Sequence, residues 1–156
     1  MKTTVKPIPE GYHTATPYLI VNHAAKAIEF YKEVFGATEL CRLVAPDGKV
    51  GHAEIKIGDS CLMLADECAE WDARGPQTVG GSPVLIMLYL ENVDEVVHRA
   101  VAAGAKLFKP VQDQFYGDRS GTITDPFGHK WTIATHIEDV PPDEMRRRAS
   151  ALFGMS

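Results

Sequence analysis

The stretches YLIVNHAAKAIEFYKEVFGA, residues 18–37, and VLIMLYLENVDEVVHRAVAAGA, residues 84–105, read as one structural phrase written twice. Each opens on an apolar run of strand character that stops at an asparagine, Asn22 or Asn92, a residue suited to cap a helix N-terminus. The helix that follows carries its apolar residues on one face: Ala24, Ala27, Ile28, Tyr31, Val34 and Phe35 in the first copy, Val93, Val96, Val97, Ala100 and Val101 in the second. Gly36-Ala37 and Gly104-Ala105 then stop the two helices alike.

Working outward, three extended stretches follow each helix. After the first they run over residues 38–44, 50–57 and 60–65, separated by the turn Pro46-Asp47-Gly48 and the two-residue hairpin Gly58-Asp59. After the second they lie near residues 106–111, 120–124 and 130–135, with Asp125-Pro126-Phe127-Gly128 turning into the last. The halves superpose at an offset of about seventy residues, which indicates a duplicated unit rather than a solenoid. The spacing predicts an α+β fold: two tandem βαβββ units forming a curved mixed sheet around a cup. Unit one takes residues 12–67, a lid-like loop 67–82, unit two 83–136, and a helical tail 137–156. In the strand Gly51–Ile57, Ala53, Ile55 and Ile57 alternate with His52, Glu54 and Lys56, so the apolar set packs under the helix and the polar set faces the cup or solvent.

The totals fit one domain of 156 residues, 45% of them apolar. No run approaches the roughly 18 to 20 apolar residues of a membrane span, and Met1 to Gly11 lacks an apolar signal core, so a cytoplasmic protein is expected. Cys41, Cys61 and Cys68 lack CxxC spacing and read as free thiols. A net charge of −5, with Arg146, Arg147 and Arg148 the only basic cluster, speaks against nucleic-acid binding. In the tail, Asp139 or Pro141-Pro142 starts a short helix through Met145, Ala149, Leu152 and Phe153, whose apolar stripe packs on its own domain or joins a dimer contact.

Pro17 to Val21, Ala27 to Lys32 and Phe35-Gly36-Ala37 resemble the first helix region of the glyoxalase and bleomycin-resistance family of the vicinal oxygen chelate superfamily. His52 to Ile55, Gly58-Asp59-Ser60, Met63 to Asp66 and Gln112 to Arg119 resemble its PhnB-like branch, and Asp125 to Trp131 fits the family's turn into its last strand. The resemblance covers Tyr12 to His136. It implies a cup that in the superfamily's enzymes holds a divalent metal, one ligand coming from the first and one from the last strand of each unit. Aligned on these motifs, the four ligand positions fall on Thr16, Leu62, Leu85 and Thr132. None offers imidazole or carboxylate, so no metal and no cofactor is expected at the family site; a divalent metal at a relocated site is the alternative.

Among candidate functional residues, His52 and Glu54 share one strand face and suit a general base and its orienter, or an ordinary rim pair. With two donors they need His13, His129 or a partner chain to hold a metal. Asp118 is placed to fix Arg119 near Tyr116, an arrangement suited to an anionic ligand or to tying down a hairpin. Thr16, Leu62, Leu64, Leu85, Met87 and Thr132 line the expected floor, and Trp71 either closes over it or anchors its loop. Trp131 reads as core and His129 as a turn residue, with His23 and His98 on the surface. Three functions stay open: a dimeric, metal-free cup for a small apolar or aromatic molecule, as in bleomycin-resistance relatives; a lyase, isomerase or dioxygenase using His52 and Glu54; and a regulatory partner with a vestigial cup.

Overall fold

The computed structural model describes residues 4–155. The chain divides into two compact units, one ending at Gly81 and the other beginning at Ser82. Unit one contains β1 (Tyr18–Val21), α1 (Ala24–Phe35), β2 (Thr38–Val44), β3 (Val50–Ile57), β4 (Ser60–Asp66), a 3₁₀ turn (Ala69–Trp71) and the short α2 (Pro76–Val79). Unit two contains β5 (Leu85–Tyr89), α3 (Val93–Ala102), β6 (Lys106–Asp113), β7 (Asp118–Thr124), β8 (Lys130–His136) and α4 (Pro142–Phe153).

Each unit is a four-stranded mixed sheet. The orders are β1-β4-β3-β2 and β5-β8-β7-β6, with the first strand parallel to the last and the other pairs antiparallel. This is the α+β arrangement of tandem βαβββ units, and neither sheet closes into a barrel. A parallel partner for the opening strand requires a crossover, which α1 or α3 supplies together with the two intervening strands.

The repeat is carried by hydrogen bonding as well as by pattern. Val21 and Leu90 are followed by left-handed residues at the helix starts, His23 at φ 63° and Asn92 at φ 54°. The end of the last strand then reaches across to the helix. Asp66 Oδ1 accepts from Ala24 N at 2.8 Å in unit one, and Thr135 Oγ1 accepts from Val93 N at 3.0 Å in unit two. His23 and Asn92, like Asp66 and Thr135, are 69 residues apart. The expected N-cap at Asn22 is therefore corrected: His23 holds the cap position without a side-chain bond, and Asp66 satisfies the first turn from another strand. Asn92 does cap α3, its Oδ1 accepting from Glu95 N.

Each helix covers one face of its own sheet. Leu19, Val21, Ala53, Ile55, Leu62 and Leu64 form the core face of unit one with Ile28, Tyr31 and Val34, all at most 5% exposed. In unit two the counterparts include Leu88, Ile123, Trp131 and Ile133 with Val93, Val97 and Ala100. Trp131 is fully buried, and its Nε1 donates to Asp125 Oδ2 at 2.8 Å. The other oxygen of Asp125 accepts from Phe127 N and His129 N, so one carboxylate fixes both the turn and the core tryptophan. The sequence after β8 is strapped to the β6–β7 turn: Gly117 O accepts from Ile137 N and Glu138 N, and a Cβ at Gly117 would meet Glu138 O at 2.1 Å. Among the described residues no helix is long and apolar enough to cross a membrane.

Candidate functional site

The faces left uncovered by α1 and α3 carry the chemistry. In unit one, strand alternation and register put Tyr18 and Ile20 of β1, Met63 and Ala65 of β4, His52 and Glu54 of β3 and Cys41 of β2 on this open face. Tyr18 Oη hydrogen-bonds His52 Nδ1 at 2.8 Å, and His52 Nε2 lies 3.2 Å from Glu54 Oε1. The imidazole is thus held at both nitrogens, the geometry that fixes a ring's tautomer and plane. Tyr12 brings a buried hydroxyl that meets no acceptor at full hydrogen-bond geometry, yet sits near enough to Glu54 for each to shift the other. Burial, then the Glu54 carboxylate, raises the Tyr12 phenol. Tyr12, then His52, lowers Glu54, so the carboxylate is ionised at neutral pH. Burial, then Glu54, also raises Tyr18, which remains a protonated donor.

Cys41 reaches this group through a backbone irregularity. Glu39 pairs with Ile55 and Cys41 with Glu54, so Leu40 is an extra residue in β2, and the bulge turns the Cys41 side chain to the face of His52 and Glu54. One donor atom from each of Cys41, His52 and Glu54 lies within 4.8 Å of the other two.

Beside the cluster is a pocket of about 630 Å³. Its floor includes Tyr18, Ile20 and Ala65 of the open face, and its far wall is the 67–82 loop, with Cys68, Ala69 and Trp71. The Trp71 side chain is 82% exposed. Glu67 anchors this wall, its Oε1 accepting from Gly75 N at 2.6 Å and from the Thr78 hydroxyl. Tyr18 belongs to the pocket and to the cluster alike, and so links the cavity to the imidazole and carboxylate of His52 and Glu54.

Unit two uses the equivalent face differently. Met87 pairs with Thr132 as Tyr18 pairs with Met63, and Thr122 pairs with Thr132 as Glu54 pairs with Met63. Serine and threonine therefore stand where unit one has histidine and glutamate, Ser120 for His52 and Thr122 for Glu54. Thr122 and Thr132 share a 2.8 Å hydroxyl bond on the wall of a 200 Å³ hollow that also includes Tyr116 and Gln112.

The family-model comparison matches residues 12–133 to the glyoxalase/bleomycin resistance protein/dioxygenase superfamily. The chain belongs to that superfamily. An uncharacterized protein of Mycobacterium tuberculosis, Rv0887c, is 39% identical over 139 residues, 87% of this chain and 82% of its own. Among solved structures, protein PA1353 of Pseudomonas aeruginosa superposes with a TM-score of 0.65 at 23% identity, covering 81% of this chain and 99% of that one. A PhnB protein of Bacillus cereus gives 0.60 at 18% identity, covering 79% and 99%. These likenesses show the fold.

Within the superfamily the register corrects one expected position. The unit-one counterpart of Thr132 is Met63, because the repeat offset in the first and last strands is 69 rather than 70. A one-residue slip moves a side chain to the opposite face. Leu62 and Leu64 accordingly lie under α1, 2% and 0% exposed, and line no open surface. The corrected set of two threonines, a methionine and a leucine has no imidazole or carboxylate, and so does not fit the divalent metal of the superfamily's enzymes.

The remaining candidates separate by face. Leu85 and Met87 are on the open face of unit two and partly exposed, with Thr132 and Tyr116 beside them; Thr16 is half-buried just before β1. Arg119 is on the helix-covered side, where Asp94 of α3 takes it in a two-point contact at 2.7 and 2.8 Å and Asp113 adds a third at 3.0 Å. The expected Asp118–Arg119 pair is thus absent. Asp118 instead accepts from Tyr89 Oη at 2.9 Å and meets His136 Nδ1 at 2.8 Å. Tyr12, Tyr18 and Cys41 were not anticipated at the site. Tyr18 has a signal in its parity with Thr16, whereas Cys41 depends on a bulge that no residue pattern announces.

Proposed function

We propose that this protein binds a small, partly apolar or aromatic molecule in the unit-one pocket, with the molecule's polar end toward Tyr18, His52 and Glu54. The observation that carries this reading is the exposed indole of Trp71 on the wall of a 630 Å³ pocket that Tyr18, Ile20 and Ala65 line from the sheet. A pocket of this size, apolar along Ile20, Ala65 and Trp71 and edged by the charged Asp47, Lys49, Asp66, Glu67 and Glu70, suits a ligand of drug or metabolite size that also carries polar groups. Tyr18 lines the pocket while its hydroxyl bonds His52, so a ligand hydroxyl or amine has a polar partner at that end. A thermal-shift screen of aromatic antibiotics and metabolites tests the reading. A saturating compound at ~100 times its dissociation constant stabilises the fold by about 2.7 kcal/mol, and a screen in which no compound shifts the midpoint overturns it.

The doubly held imidazole favours a second reading, acid/base turnover as a lyase or isomerase. His52→Ala then abolishes turnover and leaves the fold intact, whereas full activity in that variant removes the pair from the mechanism. We further infer a homodimer, supported by the exposed Leu152, Phe153 and Met155 of the tail. Sedimentation equilibrium of the full chain measures it directly, and a monomer mass at all concentrations refutes it.

A further inference from the structure

We propose that Cys41, His52 and Glu54 form a three-ligand site for a zinc-class dication on the open face of unit one, away from the positions where the superfamily holds its metal. This goes beyond the pocket reading, with which it shares His52 and Glu54. Three features carry it.

The first is the donor set. A thiolate, an imidazole and a carboxylate are the ligands zinc takes, and three protein ligands leave a fourth position open to water or to a ligand oxygen. Two anionic donors also neutralise the dication locally, which a face with a buried hydroxyl and apolar neighbours requires.

The second is spacing. Donors on a tetrahedral zinc at 2.0–2.1 Å are about 3.3 Å apart, and His52 Nε2 is already 3.2 Å from Glu54 Oε1. The widest of the three donor separations, 4.8 Å at most, has to close by up to about 1.2 Å where the thiolate is one of the pair and up to about 1.5 Å otherwise, within the reach of a side-chain torsion. Cys41 stands directly opposite Glu54 in the β2–β3 register, so the two side chains start from facing positions on one side of the sheet.

The third is the surroundings. The bulge at Leu40 gives up a ladder position, and its effect is to aim Cys41 at the other two donors. The far nitrogen of His52 is already bonded to Tyr18 Oη at 2.8 Å. With the metal on Nε2, Nδ1 carries the proton and donates to that phenol oxygen, the outer contact that orients metal-binding histidines. Tyr12 brings a buried hydroxyl close to the Glu54 carboxylate, where it can steady that ligand.

Cobalt(II) is the probe, titrated into the chelator-stripped full chain with no organic compound present. The expected result is tetrahedral visible bands plus a thiolate-to-cobalt charge-transfer band, saturating at one equivalent. Cys41→Ser loses the charge-transfer band, His52→Ala weakens binding by roughly a hundredfold, and a Cys61→Ser/Cys68→Ser variant keeps the spectrum. Independently of any variant, zinc slows alkylation of Cys41 and leaves Cys68 unchanged. Absence of the bands in the wild-type chain, bands that persist in Cys41→Ser, or alkylation of Cys41 indifferent to zinc overturns the proposal. The pocket's affinity for organic compounds is read separately, so either idea can fail alone.

Discussion

Asp66 shows how one side chain ties distant parts of the sequence together. Its two oxygens accept from Ala24 N at the start of α1 and from Val50 N at the start of β3, both at 2.8 Å. Asp66→Ala leaves two backbone donors without partners and is expected to cost about 2 kcal/mol in urea unfolding, with the loss of a helix cap alone worth about 1. Thr135→Val in unit two frees Val93 N and also removes the hydroxyl that donates to Leu90 O at 2.6 Å, so it is expected at about 1 to 2 kcal/mol. His136 gives a pH-dependent counterpart. Asp118, then Asp139, raises its protonation above the usual histidine range. The stabilisation is therefore fully present below the unfolded-state value of about 6.5 and is lost as pH rises through the higher folded value. Melting midpoints of the wild type and His136→Gln at pH 5.5 and 8.5 check it: the variant falls further behind at the lower pH, and an equal gap at both removes this ion pair from the stability of the fold. Neither Asp66 nor Asp118 was legible as such, because both act across strands whose pairing the linear pattern leaves unspecified.

At the scale of elements the reading was far more complete. Both helices, all eight strands and the tail helix lie where periodicity and turn residues put them, with ends moved by a residue or two. The exceptions have local causes. The repeat offset of seventy came from aligning turns, whereas strand pairing counts 69, and that single residue carried Leu62 from the expected floor into the core. Arg119 was expected beside Tyr116 because neighbours in sequence were treated as neighbours in space; alternation along β7 sends it to Asp94 instead. The 67–82 loop is more ordered than its glycines suggested, holding a 3₁₀ turn and α2 about the Glu67 carboxylate. Glu67→Ala should speed amide exchange at Gly75 and through residues 77–79, shift the overall melting point little, and weaken compounds that bind the pocket. Unchanged exchange would mean that Glu67 is not what holds the wall.

Across the whole molecule, duplication preserved the scaffold and divided the chemistry. Helix crossover, strand order and the cap from the last strand recur in both units. The open faces do not match: unit one presents Tyr18, His52 and Glu54 where unit two presents Met87, Ser120 and Thr122. An architecture that hosts many activities says little about function, whereas unit one has a pocket walled by an exposed indole and joined through Tyr18 to a held imidazole. The chain has two tryptophans, Trp71 at 82% exposure and Trp131 at 0%, so emission reports directly on the pocket wall. The decisive measurement is a fluorescence titration of the wild type and Trp71→Phe with any compound that raises the melting point. The wild-type emission should shift to the blue saturably, and Trp71→Phe should lose that shift and bind about tenfold more weakly. Stabilisation by a compound that leaves wild-type emission unchanged, with undiminished affinity in Trp71→Phe, would place the ligand elsewhere and contradict the assignment.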